Sequence, residues 1–211
     1  MPSIYLIRHG KASPEAEDYD ELSPTGYEQA RLLGAELERR GLRPGPVFSG
    51  SLRRQRQTAA TALAEAGIDA VPTVDERWNE YDHLGLLARH PVAEGTLQER
   101  LDAGLSAWMA AGGDGPGSWE AFRGGVRAAL EDTVAGLGRG ETALVFTSAG
   151  VVAAVCAALL RTPAHGFLEL NRIVVNGSLT KVVHGRGGTR LLSFNDHAHL
   201  ERAGAALTTF R

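Results

Sequence analysis

Short apolar runs alternate with helix-spaced apolar positions along this chain, and together they predict a repeated strand–helix order. Ser3 to Ile7 (SIYLI) is a β-prone apolar run that breaks off at Arg8-His9-Gly10. Lys11 to Glu21 is polar and irregular, a loop over the same strand end. Ser23 is placed to cap a helix with Pro24 at its first position. Ala30, Leu33 and Leu37 carry the apolar spacing of that helix, and Gly41 stops it. Pro46-Val47-Phe48 reads as a second strand, followed by Ser49-Gly50-Ser51, a helix from about Leu52 to Ala66, and a third strand over Ala70 to Val74. Trp119 to Leu137 is helical in pattern. Thr142 to Phe146 (TALVF) is the clearest buried strand, and it runs through Thr147-Ser148-Ala149-Gly150 into an apolar helix ending near Arg161. Strands at Leu179 to Val183 and Arg190 to Ser193 flank a Gly-rich turn, Gly185 to Gly188, and predict a hairpin.

This order predicts a three-layer α/β/α sandwich on a mostly parallel central sheet, made mixed by the hairpin. Glu76 to Ser118 breaks the order. It holds Trp78 and Trp108, helical patches over Gln98 to Ala111 and the Gly-rich stretch Gly112 to Gly117. The expectation is one domain, 1–211, with an insertion at about 76–118 packed over one edge of the sheet as a lid. The three tryptophans, Trp78, Trp108 and Trp119, are expected to pack in the core or lid rather than to stack on bases.

Composition narrows the class without changing this picture. The chain has 211 residues, 43% hydrophobic and 22% charged, which suits a globule with a substantial core. With 22 basic against 25 acidic residues it has no basic excess, so no nucleic-acid partner is expected. The longest apolar stretch, Gly150 to Leu160, is too short to span a bilayer, and no membrane partner is expected. The first residues lack the basic segment of a signal peptide, so a reduced cytoplasmic compartment is the default expectation. The single cysteine, Cys156, excludes a disulfide framework and a cysteine-based zinc site, and its apolar surroundings predict a buried, inert thiol. No feature fixes the oligomeric state, for which a homodimer is the default.

Three segments repeat one arrangement of apolar strand, then small or charged residues, then a helix. They are Ile7-Arg8-His9-Gly10, Phe48-Ser49-Gly50-Ser51-Leu52-Arg53-Arg54 and Phe146-Thr147-Ser148-Ala149-Gly150. If their strands are parallel neighbours, the three tips converge on one sheet edge, where ligands bind in open α/β folds. A histidine, arginines, hydroxyls and helix N-terminal amides gathered there suit a phosphoryl group, with its near-double negative charge and three acceptor oxygens.

These segments resemble the histidine phosphatase superfamily, which includes the cofactor-dependent phosphoglycerate mutases. Arg8-His9-Gly10 resembles the family's RHG signature, and Leu22-Ser23-Pro24-Thr25-Gly26 with Gln29-Ala30 is similar to its LSxxG…QA segment. Ser51 to Ala59 is similar to its SxLxRAxQTA segment, Asn79-Glu80 stands where the family carries an acidic residue, and Phe194-Asn195-Asp196 with His199-Leu200 is also family-like. The resemblance implies a phosphoglycerate mutase-like fold and a phosphohistidine on His9. It implies phosphate binding by Arg8, Arg54 and Ser148, and protonation of the leaving oxygen by Glu80, with Asp82 and Glu76 as nearby rivals. It implies no metal or cofactor, and a small phosphorylated substrate. Arg53 and Arg56 are read as solvated helix positions.

The chain departs from the family pattern twice. Ser148 stands where the family has a second histidine, and serine can donate a hydrogen bond but carries no charge. His184, His197 and His199 are the candidates to supply the missing cation, although His184 reads better as part of the hairpin. His83, His90 and His165 are read as loop residues. Glu15 stands where many members carry an asparagine, so that Ser13 or a different loop arrangement is expected there. The leading expectation is a phosphatase for a small monoester. The alternatives are a phosphoglycerate mutase-type phosphotransferase, a phosphatase acting on phosphohistidine in proteins, and a phosphate-binding module weakened in catalysis by Ser148. The lid argues against the protein-directed reading, because it covers the pocket. Only Arg77, Arg89 and Arg100 are available in it to hold the diphosphorylated intermediate that a mutase needs.

Overall fold

Successive residues of the first strand face opposite ways, and each face has its own core. In the computed structural model of the chain, residues 1–13, 20–89 and 95–210 are described. Strand β1 (Ser3–Arg8) sends Ile4 and Leu6 to one side and Tyr5 and Ile7 to the other. Strand β4 (Thr142–Thr147) does the same with Ala143 and Val145 against Leu144 and Phe146. Helices α1 (Pro24–Arg39) and α2 (Arg53–Glu65) cover one face through Leu33, Leu37, Ala59, Ala62 and Leu63. Helices α5 (Trp119–Gly136), α6 (Ala149–Leu160) and α7 (Ala164–Ile173) cover the other. The expected three layers follow from this two-sided burial.

Strands β2 (Val47–Ser49) and β3 (Thr73–Val74), then β5 (Leu179–Gly185) and β6 (Gly188–Asp196), complete a six-stranded sheet ordered β3-β2-β4-β1-β5-β6. β4 lies between β2 and β1 and is parallel to both, with Phe48 opposite Val145 and Arg8 opposite Thr147. β5 runs antiparallel to β1 and β6 antiparallel to β5, so the sheet is mixed as expected. The C-terminal ends of β1, β2 and β4 therefore meet at one edge.

Helix α1 starts as its sequence dictates. Ser23 Oγ accepts the Gly26 N–H at 3.1 Å and Pro24 opens the first turn. Past the C-cap Arg40, Gly41 takes a φ of +63°, where glycine carries no Cβ penalty. Gly10 and Gly26 let the first loop and α1 touch, because a Cβ on Gly26 would stand 2.2 Å from Lys11 O.

The 76–118 segment holds a 3-10 turn (Glu76–Trp78), α3 (His83–Arg89) and α4 (Leu97–Ala110). Its aromatic side chains join the core beside α5. Trp108 packs on Tyr81, Trp119 and Phe122, with ring centroids 5.3–5.7 Å apart, and Trp78 is fully buried. The three tryptophans thus pack as expected. Cys156 is fully buried, and desolvation pushes its thiol up to about 12.

The structure differs from the sequence reading in several elements. Ala164–Ile173 is a helix, so His165 lies on an exposed helix face, 3.5 Å from Glu169, and not in a loop. Phe167, Leu168 and Asn171 of that helix are buried at helical spacing. His83 likewise begins α3, and His90 lies outside the described residues. A further helix, α8 (Ala198–Ala203), follows β6 and packs on α1. The third strand is only two residues long, whereas the hairpin strands extend beyond their predicted bounds. Among the described residues, no helix is long and apolar enough to cross a membrane.

Candidate active site

The turn after β1 carries His9, and its backbone polar groups are held from several elements. His9 N–H donates to Thr147 O on β4 at 2.9 Å, and His9 O accepts from Asn176 Nδ2 at 3.1 Å. Gly10 N–H donates to Thr58 Oγ1 on α2 at 3.0 Å, and Lys11 N–H donates to Gln29 Oε1 on α1 at 2.8 Å. Lys11 O accepts from both the hydroxyl and the N–H of Ser23, each at 2.9 Å. Thr58 and Gln29, which lie within the family-like segments, thus hold the loop that presents His9.

Two contacts define the state of the imidazole. Nδ1 lies 2.7 Å from Gly10 O, which can only accept, so Nδ1 carries the proton. Arg54 Nε lies 3.1 Å from Nε2 and can only donate, so Nε2 keeps its lone pair. Burial, then the charges of Arg54 and Arg8, hold the His9 pKa well below the ordinary 6.5, against the smaller opposing effect of the Gly10 contact. At neutral pH His9 is an uncharged base beside two guanidinium groups.

Arg8 is 6% exposed, and its Nη1 donates to Val174 O. Arg54 stands in the first turn of α2, and its Nη1 pairs with Asp20 Oδ1 at 2.6 Å. Asp20 Oδ2 also accepts the Arg53 N–H at 2.6 Å, so one carboxylate orients Arg54 and caps α2. Sequence reading missed Asp20, which sits 34 positions from Arg54 inside a polar loop with no pattern to mark it. Arg53 pairs with Glu21 on the outside of the helix at 3.1 Å.

Glu80 reaches the same edge from the segment after the 3-10 turn. Trp78 O anchors that turn by accepting from Thr147 Oγ1 at 2.6 Å and from Gln55 Nε2 at 3.0 Å. Asn79 is clamped to Ser51 through Ser51 N–H to Oδ1 at 2.7 Å and Nδ2 to Oγ at 2.8 Å. Glu80 Oε2 then accepts the Gly150 N–H at the start of α6 at 3.1 Å. Burial is the main influence on Glu80 and raises its pKa above the ordinary 4.5, while the Gly150 N–H, Arg54, Arg8 and the Tyr81 N–H oppose it. The rivals stand differently. Asp82 Oδ1 accepts from Gly85 N–H at 2.8 Å in the first turn of α3, and Glu76 is exposed.

Ser148 occupies the N-cap position of α6, yet its hydroxyl makes no capping bond and instead accepts from Gln55 Nε2 at 2.9 Å. Its hydroxyl hydrogen is left to donate. None of the three histidines considered as substitutes for a second histidine hydrogen-bonds His9, Arg54 or Ser148 among the described residues. His184 Nδ1 pairs with Thr189 in the hairpin at 2.9 Å, beyond the N-terminal end of β1. His197 Nδ1 contacts Asn195 O at 2.6 Å, and His199 is buried near Glu36, Asp196, Arg40 and Arg202. Glu15 lies outside the described residues, and Ser13 N–H donates to Glu21 O at 2.7 Å.

Beside Glu80 lies a cavity of about 370 Å³, bordered by Asn79, Tyr81, Leu86, Trp108 and Phe122, with Arg77 and Arg89 also on its wall. Arg77 is engaged by Asp75 at 2.6 Å and Asp132 at 2.7 Å.

Residues 4–197 match the sequence profile of the histidine phosphatase superfamily, branch 1. A 2,3-bisphosphoglycerate-dependent phosphoglycerate mutase of Thermobifida fusca is 39% identical over 116 residues, 51% of this chain and 46% of that protein. A broad-specificity phosphatase of Saccharomyces cerevisiae is 36% identical over 97 residues, 43% of this chain and 42% of that protein. This chain thus spans less than half the length of these curated relatives. The solved structure of Bacillus stearothermophilus YhfR superposes with a TM-score of 0.71 at 23% identity, covering 94% of this chain and 99% of that one.

Proposed function

This chain belongs to the histidine phosphatase superfamily, and from that membership we propose that it hydrolyses a small phosphate monoester through a phosphohistidine on His9. The observation that carries the reading is the imidazole itself. Its proton is held on Nδ1 by Gly10 O, its Nε2 lone pair faces Arg54 Nε, and burial with the charges of Arg54 and Arg8 keeps the ring uncharged.

In the first step the Nε2 lone pair attacks phosphorus and the bond from phosphorus to the leaving oxygen breaks. Glu80, whose pKa burial raises above the ordinary 4.5, gives its proton to that oxygen. Arg8 and Arg54 bind the equatorial oxygens and stabilise their charge, with Ser148 Oγ–H as a neutral donor. In the second step water attacks phosphorus and returns a proton to Glu80. The N–P bond breaks, Nε2 recovers its electron pair, and orthophosphate leaves. The leaving group is assigned to the cavity beside Glu80, whose volume fits a small organic group. The lid at about 76–118 forms its wall within the same domain.

The mutase relative supports a second reading, in which the phosphoryl group returns to a sugar acid rather than to water. That chemistry needs cations for a second phosphate. Arg77, one of the few on the cavity wall, is already engaged by two carboxylates. The pairing favours hydrolysis, and a coupled assay for interconversion of 2- and 3-phosphoglycerate discriminates the two. Hydrolysis of p-nitrophenyl phosphate from pH 4 to 8, wild type beside His9→Ala, tests the main reading. Turnover that vanishes in the variant supports it, and equal turnover in both refutes it. Thermal stabilisation by phosphate or vanadate without turnover of any ester would instead favour a binding module.

A further inference from the structure

The segment that follows α8 reaches back to the catalytic edge. Gln29 is fully buried and Asn176 is 1% exposed, and both are primary amides that touch the His9 loop. Gln29 presents Oε1 to Lys11 N–H, and Asn176 presents Nδ2 to His9 O. Each amide has a second polar atom in the interior that needs a contact of its own.

One hydroxyl supplies that contact to both. Thr209 Oγ1 accepts from Gln29 Nε2 at 2.8 Å and donates to Asn176 Oδ1 at 3.0 Å. The hydroxyl thus bridges the two amides, whose senses are set by backbone groups of fixed role: Lys11 N–H and Leu207 O for Gln29, and His9 O for Asn176. The backbone keeps Thr209 in register, since Thr209 O accepts from Asn176 N–H at 2.8 Å and Leu207 O accepts from Gln29 Nε2 at 2.8 Å. Gly177 closes the arrangement from the other side, with its N–H on Arg8 O at 3.0 Å.

We propose that Thr209 is a positioning residue for His9, acting through Asn176 and Gln29 on the carbonyl of His9 and the N–H of Lys11. The two contacts flank Gly10, whose carbonyl holds the Nδ1 proton of His9. A loop held on both sides keeps Gly10 O in the imidazole plane and keeps Nε2 aimed at its target. Without the hydroxyl, Asn176 Oδ1 is buried without its donor, and the turn gains freedom just where the ring is anchored. The inference rests on the proposed role of His9 and adds to it a residue distant in sequence.

The test compares Thr209→Val, which keeps the shape and loses the hydroxyl, with Thr209→Ser, which keeps the hydroxyl. Two quantities are read in the full chain: the NMR titration of the His9 imidazole, and kcat with KM for p-nitrophenyl phosphate. Arg54 and Arg8 remain the charged neighbours that act on the ring in both variants. The expectation for Thr209→Val is a His9 titration moved further down, because the Gly10 O contact that raises it is weakened, and a kcat lower by about tenfold, with KM changed less than threefold. Thr209→Ser restores both. An unchanged His9 titration in Thr209→Val, whatever its melting temperature, overturns the inference, and so does a Thr209→Ser variant as impaired as Thr209→Val. A wild type that hydrolyses no ester, but whose His9 titration shifts in Thr209→Val and returns in Thr209→Ser, would refute the phosphatase reading and leave the positioning role standing.

Discussion

The main-chain N–H of Gly150 donates to Glu80 Oε2 at 3.1 Å, and a Cβ placed on Gly150 would stand 2.2 Å from Glu80 Oε1. The first turn of α6 therefore seats the Glu80 carboxyl and has no room for a side chain at that point. The same Cβ would stand 2.5 Å from the Tyr81 ring. The glycine is thus required by the close approach of the acid, since helical φ and ψ would suit alanine equally well.

Gly150→Ala is expected to displace Glu80 and Tyr81 while α6 persists. The predicted result is a kcat lower by roughly 10–100-fold, less than the about 10²–10⁴-fold of a full loss of general acid catalysis, with helical content by circular dichroism unchanged. Wild-type kcat in this variant would show that the seat of Glu80 does not matter.

Glu80→Gln keeps the shape and removes the transferable proton. For an alkyl phosphate, whose leaving oxygen needs that proton, kcat is expected to fall about 10²–10⁴-fold. For p-nitrophenyl phosphate, which leaves as a stabilised anion, the loss is expected to be far smaller. The sign of the pH dependence follows from the two shifts. Neutral His9 is needed, so activity falls as pH drops through its lowered pKa, well below 6.5. Protonated Glu80 is needed, so activity falls as pH rises through its pKa, which lies above 4.5. Glu80→Gln should erase only the second limb, and kcat profiles of both proteins on the alkyl ester measure it.

Arg54→Lys keeps the charge but loses the fork that joins His9 Nε2 to Asp20. A lysine cannot serve both partners and the phosphoryl oxygens in one plane. The expected loss in kcat/KM is roughly 10²–10³-fold, as for other donors aimed at developing charge. A loss below fivefold would mean that Arg54 does not touch the transferring group.

His199 tests the fold rather than the chemistry. It is 5% exposed, and neither ring nitrogen has a hydrogen-bond partner among the described residues. Burial lowers its pKa to about 4, although Glu36 and Asp196 pull upward. The unfolded chain takes up this proton near 6.5 and the folded chain near 4, so the neutral ring's contribution is complete above pH 6.5 and is lost as pH falls toward 4. The shift corresponds to about 3 kcal/mol. Urea unfolding at pH 7 and at pH 4.5 should show the wild type losing more stability than His199→Leu over that interval. Parallel losses in the two proteins would contradict the assignment.

Much of the site was legible because its pieces lie at strand ends. β1 and β4 are apolar on both faces, as strands covered by helices must be, and each stops at residues that cannot continue the core. Arg8, His9 and Arg54 follow such strand ends, which the sheet order brings together, whereas Glu80 is marked only by the family resemblance. The residues that hold them were not legible. Asp20 and Thr209 are short polar side chains in irregular segments, and each gains meaning only from partners in other elements. α7 went unseen for a local reason. It follows Pro163, is ten residues long and contains Gly166, so only Phe167, Leu168 and Asn171 mark its buried stripe.

The central claim is a covalent phosphoryl group on His9 Nε2. The most direct measurement is rapid acid or alkali quench of the enzyme with a ³²P-labelled monoester, followed by mapping of the label. A label that survives alkali, is lost in acid and maps to His9, with none on His9→Ala, is the predicted result. Turnover without any trapped label under burst conditions, or a label on another residue, would contradict it.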